Sequence, residues 1–502
     1  MKKQHIVLLL ALYTQICFAC TTEDTIQKTS DTAVSEECKN KPTLPKTDTL
    51  HTINTSYDFL NKSHNVIQYQ QLSDIEPFLK KWNATGTEQI AIAHFGDSHI
   101  QNGFLASIVR ERLQALKGKG GRGMIFPYAI AKTYSQNDYI SSFSGAWVTA
   151  NSMQYTPRLP LGISGFTAKT IDANASMSFN FTKPLDPGPK KITVFLHTSP
   201  TDYQLNITAS EHQQIVKLES SAEQSLSHVS VTLPEIKDQL NLDFSKRSEE
   251  DGELTIYGVS IENVETGLTY HNLGVGGAAY NAINSQALFS EQIPLIHPDL
   301  IIVDYGTNDI IYKNSIPENH VLTVIKTIEK IRASQPNATI LLTSTQDMNF
   351  KGRNISAAKD FSKQMKRIAF EQHCLFYDWY KVSGDENSMK KWHAEQLSQS
   401  DNIHLNVKGY QLKGALFSDA LLNTIELAKQ GNHESLMIEE PVEVQQTASH
   451  SRDGSKKTKS KNKMRMTQTK KVIGKHSKAG KPGNKSVSKK TRKASSKGAH
   501  KK

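Results

Sequence analysis

Three side chains in this 502-residue sequence have the types and settings needed for nucleophilic catalysis. Ser98 lies in Gly96-Asp97-Ser98-His99, directly after the apolar, β-branched run Ile90 to Phe95. Such a run reads as a buried parallel-type strand, and the amphipathic stretch Phe104 to Leu116 reads as a helix. A serine at that turn has its hydroxyl at the end of a sheet. Its own amide lies among the unpaired N–H groups of a helix start, where negative charge is favoured. Taken alone, Gly-Asp-Ser reads first as a helix cap formed by Asp97 or Ser98. Far downstream stands Asp401-Asn402-Ile403-His404. A carboxylate three residues before a histidine can hold its Nδ1–H and leave Nε2 free to take a proton from a serine. That pattern also has a plain alternative, a helix cap followed by a surface histidine.

These groups need elements to bring them together. Leu72–Trp82 reads as a first helix. After Asn263 the pattern alternates: strands at Leu268–Leu273, Leu300–Tyr305, Ala338–Ser344 and Cys374–Trp379, and helices at Tyr280–Phe289, His320–Ser334, Ala357–Glu371 and Tyr410–Ala428. Strands alternating with helices predict an α/β/α arrangement, a parallel sheet covered on both faces, with functional groups at the C-terminal strand ends. Ser98, Gly277 and Asn308 all fall at such ends. Between residues 141 and 263 the texture is different. Short β-type runs (Ser176–Phe181, Lys191–His197, Tyr203–Thr208, Gln214–Leu218, Val229–Leu233, Leu254–Ile261) are separated by Pro, Gly, Asn and Ser turns, which predicts an inserted all-β sandwich. The cluster Gly118-Lys-Gly-Gly-Arg-Gly123 matches G-x-G-x-x-G literally. A dinucleotide fingerprint needs a strand before it and a helix after it. Here a helix precedes and Met124-Ile-Phe-Pro127 follows, so a nucleotide site is set aside in favour of a loop approaching another part of the site.

Charge and address separate the ends of the chain from its body. Residues 451–502 hold 20 Lys and Arg against Asp453 alone, net +19, while residues 1–450 hold 40 basic and 48 acidic side chains, net −8. The basicity is therefore a property of a tail without aromatic residues, which is expected to be disordered. Lys2 and Lys3, the apolar Ile6–Tyr13 and Cys17-Phe18-Ala19 before Cys20 read as a secretory signal, with no later segment apolar enough to span a bilayer. Cleavage after Ala19 would leave Cys20 at the new N-terminus, a loose bacterial lipobox and a candidate lipidation site. Cys38 and Cys374 then remain. They could pair in an oxidising compartment but make no zinc site of their own. The expected organisation is a signal at 1–19, a flexible tether at 20–70, and the α/β domain in two parts, 71–140 and 264–432. The sandwich occupies 141–263 and the Lys-rich tail 433–502.

In this order, Gly96-Asp97-Ser98, Asn272 with Gly277 five residues on, Gly306-Thr307-Asn308-Asp309 and Asp401-x-x-His404 resemble the four blocks of the SGNH, or GDSL-type, hydrolase superfamily. No G-x-S-x-G elbow occurs, which argues against the ordinary α/β-hydrolase fold. The resemblance covers residues 86–140 and 264–430, and implies a three-layer, flavodoxin-like fold. It also implies a catalytic triad of Ser98 as nucleophile, His404 as general base and Asp401 as the orienting carboxylate. The oxyanion hole it implies uses the amides of Ser98 and Gly277 and the side chain of Asn308. Gly274 and Gly276 compete for the glycine role, and the spacing from Asn272 favours Gly277. Asp97, His99 and Asp309 are expected as structural members of the site.

The Gly-Asp-Ser-His start, the β-rich insert and the export signal look like the peptidoglycan O-acetylesterase group, whose members carry a carbohydrate-binding-like sandwich at that point. That implies an exported serine esterase removing small acyl groups, O-acetyl above all, from an envelope glycan, without cofactor or metal. A lipase or thioesterase on the same fold, and a catalytically idle wall-binding protein, are the alternatives. Trp147, Tyr155 and Tyr203 could stack on sugars or be core. The tail would tether the protein electrostatically to anionic envelope polymers or lipid headgroups, with a passive solvated extension as the plain alternative. Nucleic acid is set aside because export places the tail away from the genome.

Overall fold

Five short apolar runs with alternating faces build the central sheet. The computed structural model describes residues 53–84, 89–198, 203–218, 227–247 and 252–438. The signal segment, Cys20, Cys38 and residues 439–502 of the Lys-rich tail lie outside them. Residues 53–70 and 433–438, expected in the tether and the tail, instead pack on the body: Ile67, Tyr69 and Leu436 are buried, and Tyr69 N donates to Leu436 O at 3.0 Å. Strands β1 (Ile90–Gly96), β2 (Leu268–Gly274), β3 (Leu300–Asp304), β4 (Thr339–Thr343) and β5 (Leu375–Tyr377) are all parallel, in the order β2-β1-β3-β4-β5. This is the flavodoxin-like doubly wound order, whose crevice opens where β1 meets β3.

Side chains one residue apart on these strands enter different cores. Ile92, Ile302, Leu341 and Leu375 pack with helices α1 (Leu72–Asn83), α2 (Phe104–Lys117) and α5 (Val407–Lys429). Ala93, Val303, Leu342 and Phe376 pack with α3 (His320–Ser334) and α4 (Ala357–Glu371) on the other face. Two buried faces explain why every residue of β1 is buried. No helix among the described residues is long and apolar enough to cross a membrane.

Two antiparallel sheets form the insert between α2 and β2. One runs Tyr139–Ser144, Asn174–Phe181, Gln239–Lys246, Tyr203–Ala209, His212–Leu218. The other runs His228–Leu233, Lys190–Thr198, Leu254–Asn263, Phe166–Thr170, Val148–Asn151. Their facing residues, among them Phe179, Leu205, Leu242, Val194 and Ile256, share one hydrophobic cluster with α3 and α4. Lys190–Thr198 and Leu254–Asn263 are almost continuously buried, unlike the alternating strands of the first sheet.

The glycine cluster corrects one expectation. It is not a loop near the site: Gly121–Ile125 is a strand paired with Leu254–Asn263. A Cβ on Gly120 would lie 2.7 Å from the carbonyl carbons of Gly267 and Leu268, and one on Gly123 (φ +83°) 2.8 Å from the Tyr270 carbonyl oxygen. The glycines let insert and hydrolase backbones cross without side chains between them. The expected helix Tyr280–Phe289 is broken into Asn281–Ser285 and Phe289–Gln292, followed by a 3-10 turn, Ile293–Ile296, that carries Pro294. The last strand is shorter than expected because Trp379–Val382 is a helical turn capped by Asp378.

Candidate active site

Ser98 opens a single helical turn, Ser98–Gln101, at the C-terminal end of β1. Asp97 caps that turn by accepting the His99 amide at 2.9 Å, and Gly103 (φ +82°) separates it from α2. The capping reading and the nucleophile reading are thus both satisfied, by adjacent residues. The segment from β5 to α5 brings Asp401 and His404 to the same strand end. Asp401 Oδ1 accepts the amides of Ile403 and His404, both at 2.9 Å, and Oδ2 faces His404 Nδ1 at 2.6 Å. His404 Nε2 lies 2.8 Å from Ser98 Oγ.

The tautomer follows from the acceptors. Burial alone would raise the Asp401 carboxyl, but the hydrogen bonds from His404 and the two amides outweigh it and hold it at about 2. An ionised carboxylate only accepts, so Nδ1 carries the proton and bare Nε2 accepts from the Ser98 hydroxyl. Burial pushes His404 down, but the hydrogen bond and charge of Asp401, with a further contribution from Asp97, carry it above its ordinary value.

Across the serine the backbone 274–278 wraps the Ser98–Gln101 turn. Asn272 Nδ2 donates to Ile100 O at 2.8 Å and its Oδ1 accepts the Gly274 amide at 3.1 Å. Gln101 Oε1 accepts the Gly276 amide at 2.5 Å, while its Nε2 donates to Tyr134 O at 2.8 Å. The two competing glycines therefore have their amides occupied. Among the described residues nothing accepts the amide of Gly277, which sits at φ +81°. Asn308, beyond the end of β3, donates from Nδ2 to Ala278 O at 2.9 Å and reaches Asp97 Oδ2 at 3.4 Å.

The neighbouring titratable groups are more buried. Burial, with the charge of Asp304, pushes Asp97 up to about 7. Burial and the charge of Asp97 do the same to Asp309, whose carboxylate receives the Tyr280 amide. Burial and the charge of His404 hold His99 well below its ordinary value. Beneath the site, Asp304 at the end of β3 accepts from Thr343 Oγ1 at 2.7 Å and pairs with Lys413 Nζ at 3.3 Å. Lys413 with His94 and Thr343 outweighs burial and keeps Asp304 ionised. Neither Asp304 nor Lys413 belongs to a sequence block. The only signal for Lys413 was a lysine on an apolar helix face. Of the aromatics, Tyr203 is core, Trp147 packs edge-on against Phe244, and Tyr155 is 81% exposed. Among the described residues no group of His, Cys, Asp and Glu could hold a metal ion.

The profile of the GDSL-like lipase/acylhydrolase family matches residues 259–412. Residues 259–412 thus resemble the GDSL-like lipase/acylhydrolase family, within a parallel-sheet α/β fold that carries an inserted β-sandwich. A solved structure entitled "Peptidoglycan O-acetylesterase in action, 5 min" is similar in fold, with a TM-score of 0.60 and 22% identity, covering 72% of this chain and 98% of its own. A GDSL-like lipase from Bacteroides thetaiotaomicron is 22% identical over 32% of this chain and 76% of its own, with a TM-score of 0.25. The acetylxylan esterase Axe2 from Geobacillus stearothermophilus is 19% identical over 32% and 73%, with a TM-score of 0.26. No curated protein matches the sequence.

Proposed function

We propose that this protein is an exported esterase that removes O-acetyl groups from an envelope glycan such as peptidoglycan, through an acyl-enzyme on Ser98. The observation that carries this reading is the chain Ser98 Oγ–His404 Nε2 at 2.8 Å and His404 Nδ1–Asp401 at 2.6 Å, set at the sheet's switch point. His404 takes the serine proton as Oγ attacks the ester carbonyl, then delivers it to the leaving sugar oxygen. Water repeats the cycle and releases acetate. Asp401 holds the imidazole in the required tautomer. The oxyanion is received by the amides of Ser98 and Gly277 and by Asn308, which must release its long contact to Asp97 to do so.

The substrate class rests on the fold shared along nearly the whole length of the peptidoglycan O-acetylesterase structure, together with the export signal expected at 1–19. Lipidation at Cys20 and electrostatic tethering by residues 451–502 would keep the enzyme at the envelope. Acetate release from O-acetylated peptidoglycan, measured beside an O-acetylated polysaccharide and a long-chain ester, tests the proposal. Preference for the long-chain ester would instead make the protein a lipase or thioesterase.

A further inference from the structure

A residue of the sandwich reaches the hydrolase site. The strand Val148–Asn151 ends in a turn that is pinned to the insert. Ser152 N donates to Gly165 O at 2.9 Å, Met153 N to Asn151 Oδ1 at 3.2 Å, Gln154 N to Asn151 O at 3.2 Å, and Arg158 Nε to Thr149 O at 3.0 Å. From this turn Met153 lies over Gly277. A Cβ on Gly277 would be 2.8 Å from Met153 Sδ and 2.9 Å from its Cγ. Beside it, a Cβ on Gly276 would be 3.1 Å from Tyr134 OH. Both side chains stay open to solvent, Met153 at 57% and Tyr134 at 48%. They therefore form a wall of the site rather than part of a core.

The chemistry says which side of the substrate this wall meets. The leaving oxygen must come within reach of His404 Nε2, so the leaving group lies on the His404 side of Ser98. The carbonyl oxygen turns into the hole formed at Gly277 and Asn308. The remaining substituent of the carbonyl carbon, the acyl chain, then extends away from His404, past Gly277. We propose that Met153, flanked by Tyr134, closes the acyl side of the site and limits the acyl group to about the size of acetyl. The inserted sandwich is by this account part of the catalytic pocket, and Met153 is its specificity-determining residue. An unbranched thioether suits the role, because it presents apolar surface that fits closely around a methyl group.

This inference rests on the esterase reading, and aryl esters of fixed leaving group and increasing acyl length (acetate, butyrate, hexanoate) separate the two. Wild-type enzyme is expected to favour acetate. Met153→Ala is expected to raise the butyrate-to-acetate ratio of kcat/KM by about 10-fold or more, the discrimination that one or two methylenes provide in an apolar pocket. Met153→Leu, of similar volume, is expected to keep the wild-type ratio. Because Met153 is exposed, neither variant threatens folding. Wild-type turnover of acetate with an unchanged ratio in Met153→Ala would overturn the inference and leave the esterase reading intact. A wild-type enzyme that cleaves no ester of the series would overturn both.

Discussion

The imidazoles of His99 and His404 lie with ring centroids 5.2 Å apart and planes 32° from parallel. Only one of them is placed to take a proton. His99 is buried, its Nδ1 is 3.1 Å from the Tyr410 hydroxyl, and it stays neutral. His404 is paired with Asp401 and has its proton affinity raised. The neutral ring tilted against it leaves His404 free to become cationic without a like charge beside it.

That relationship fixes the sign of the pH dependence. The base must be neutral to begin a turnover, so activity is lost as pH falls through the pKa of His404, which is raised above about 6.5. The acid limb of kcat/KM is therefore expected above pH 6.5. Asp401→Asn removes the group that raises it, so the limb moves to lower pH while kcat falls by roughly 10³–10⁴. A flat kcat/KM profile between pH 5 and 8 in the wild type would count against His404 as base.

Asn308→Ala is expected to lower kcat by about 10²–10³ with little change in KM, since an oxyanion exists only once the carbonyl has been attacked. Steady-state kinetics on an aryl acetate read this directly. An effect confined to KM would make Asn308 a substrate-positioning residue instead.

Asp97→Asn keeps an acceptor for the His99 amide but sets an amide group against Asn308 Nδ2, where a carboxylate oxygen stood at 3.4 Å. Asn308 then keeps Ala278 O but loses the second partner that holds it in place before the carbonyl is attacked. A fall in kcat of about 10-fold is expected, with the far-UV circular dichroism unchanged. Wild-type kcat in the variant would show that Asp97 does no more than cap the turn.

The buried pairing between Arg110, Arg122 and Asp138 supports the segment that carries Tyr134. Arg110 Nη2 donates to Asp138 Oδ2 at 2.7 Å and Arg122 Nη2 to Oδ1 at 2.6 Å. Burial would raise Asp138, but the two guanidinium groups outweigh it and hold it at about 2. A carboxyl whose folded pKa lies below its unfolded value of about 3.9 stabilises above that value and loses its effect as pH falls toward about 2. Asp138→Ala leaves the buried Arg122 and the partly buried Arg110 without their carboxylate and is expected to cost about 3 kcal/mol in urea unfolding at pH 7. A difference below about 0.5 kcal/mol would show the pairing to be solvated.

Much of the hydrolase scaffold was legible because its strands are short, apolar and buried on both faces. That pattern separates β1 and β3 from the helices without any tertiary knowledge. The sandwich was legible as texture only. Strands such as Tyr139–Ser144 and Val148–Asn151 present exposed Ile140, Phe143 and Val148 at sheet edges, so apolar alternation does not mark them. The nucleotide reading was rightly set aside, but the glycine cluster still misled, because a loop near a site and a strand at a backbone crossing both take glycine, and only the partner strand distinguishes them. Ser98, Asp401 and His404 could be singled out because their types and order carry the chemistry. Met153, Gln101, Asp304 and Lys413 could not. Their roles come from what they touch across the fold, and a methionine in a polar loop carries no local signal of a glycine it will cover.

The central claim is that Ser98 carries the acyl group removed from an envelope glycan. The most direct measurement is acetate released from O-acetylated peptidoglycan by the wild type and by Ser98→Ala, with matched unfolding curves for the two proteins. Release by the wild type and a loss of several orders of magnitude in the variant is the predicted result. Release at a near wild-type rate by folded Ser98→Ala would contradict it.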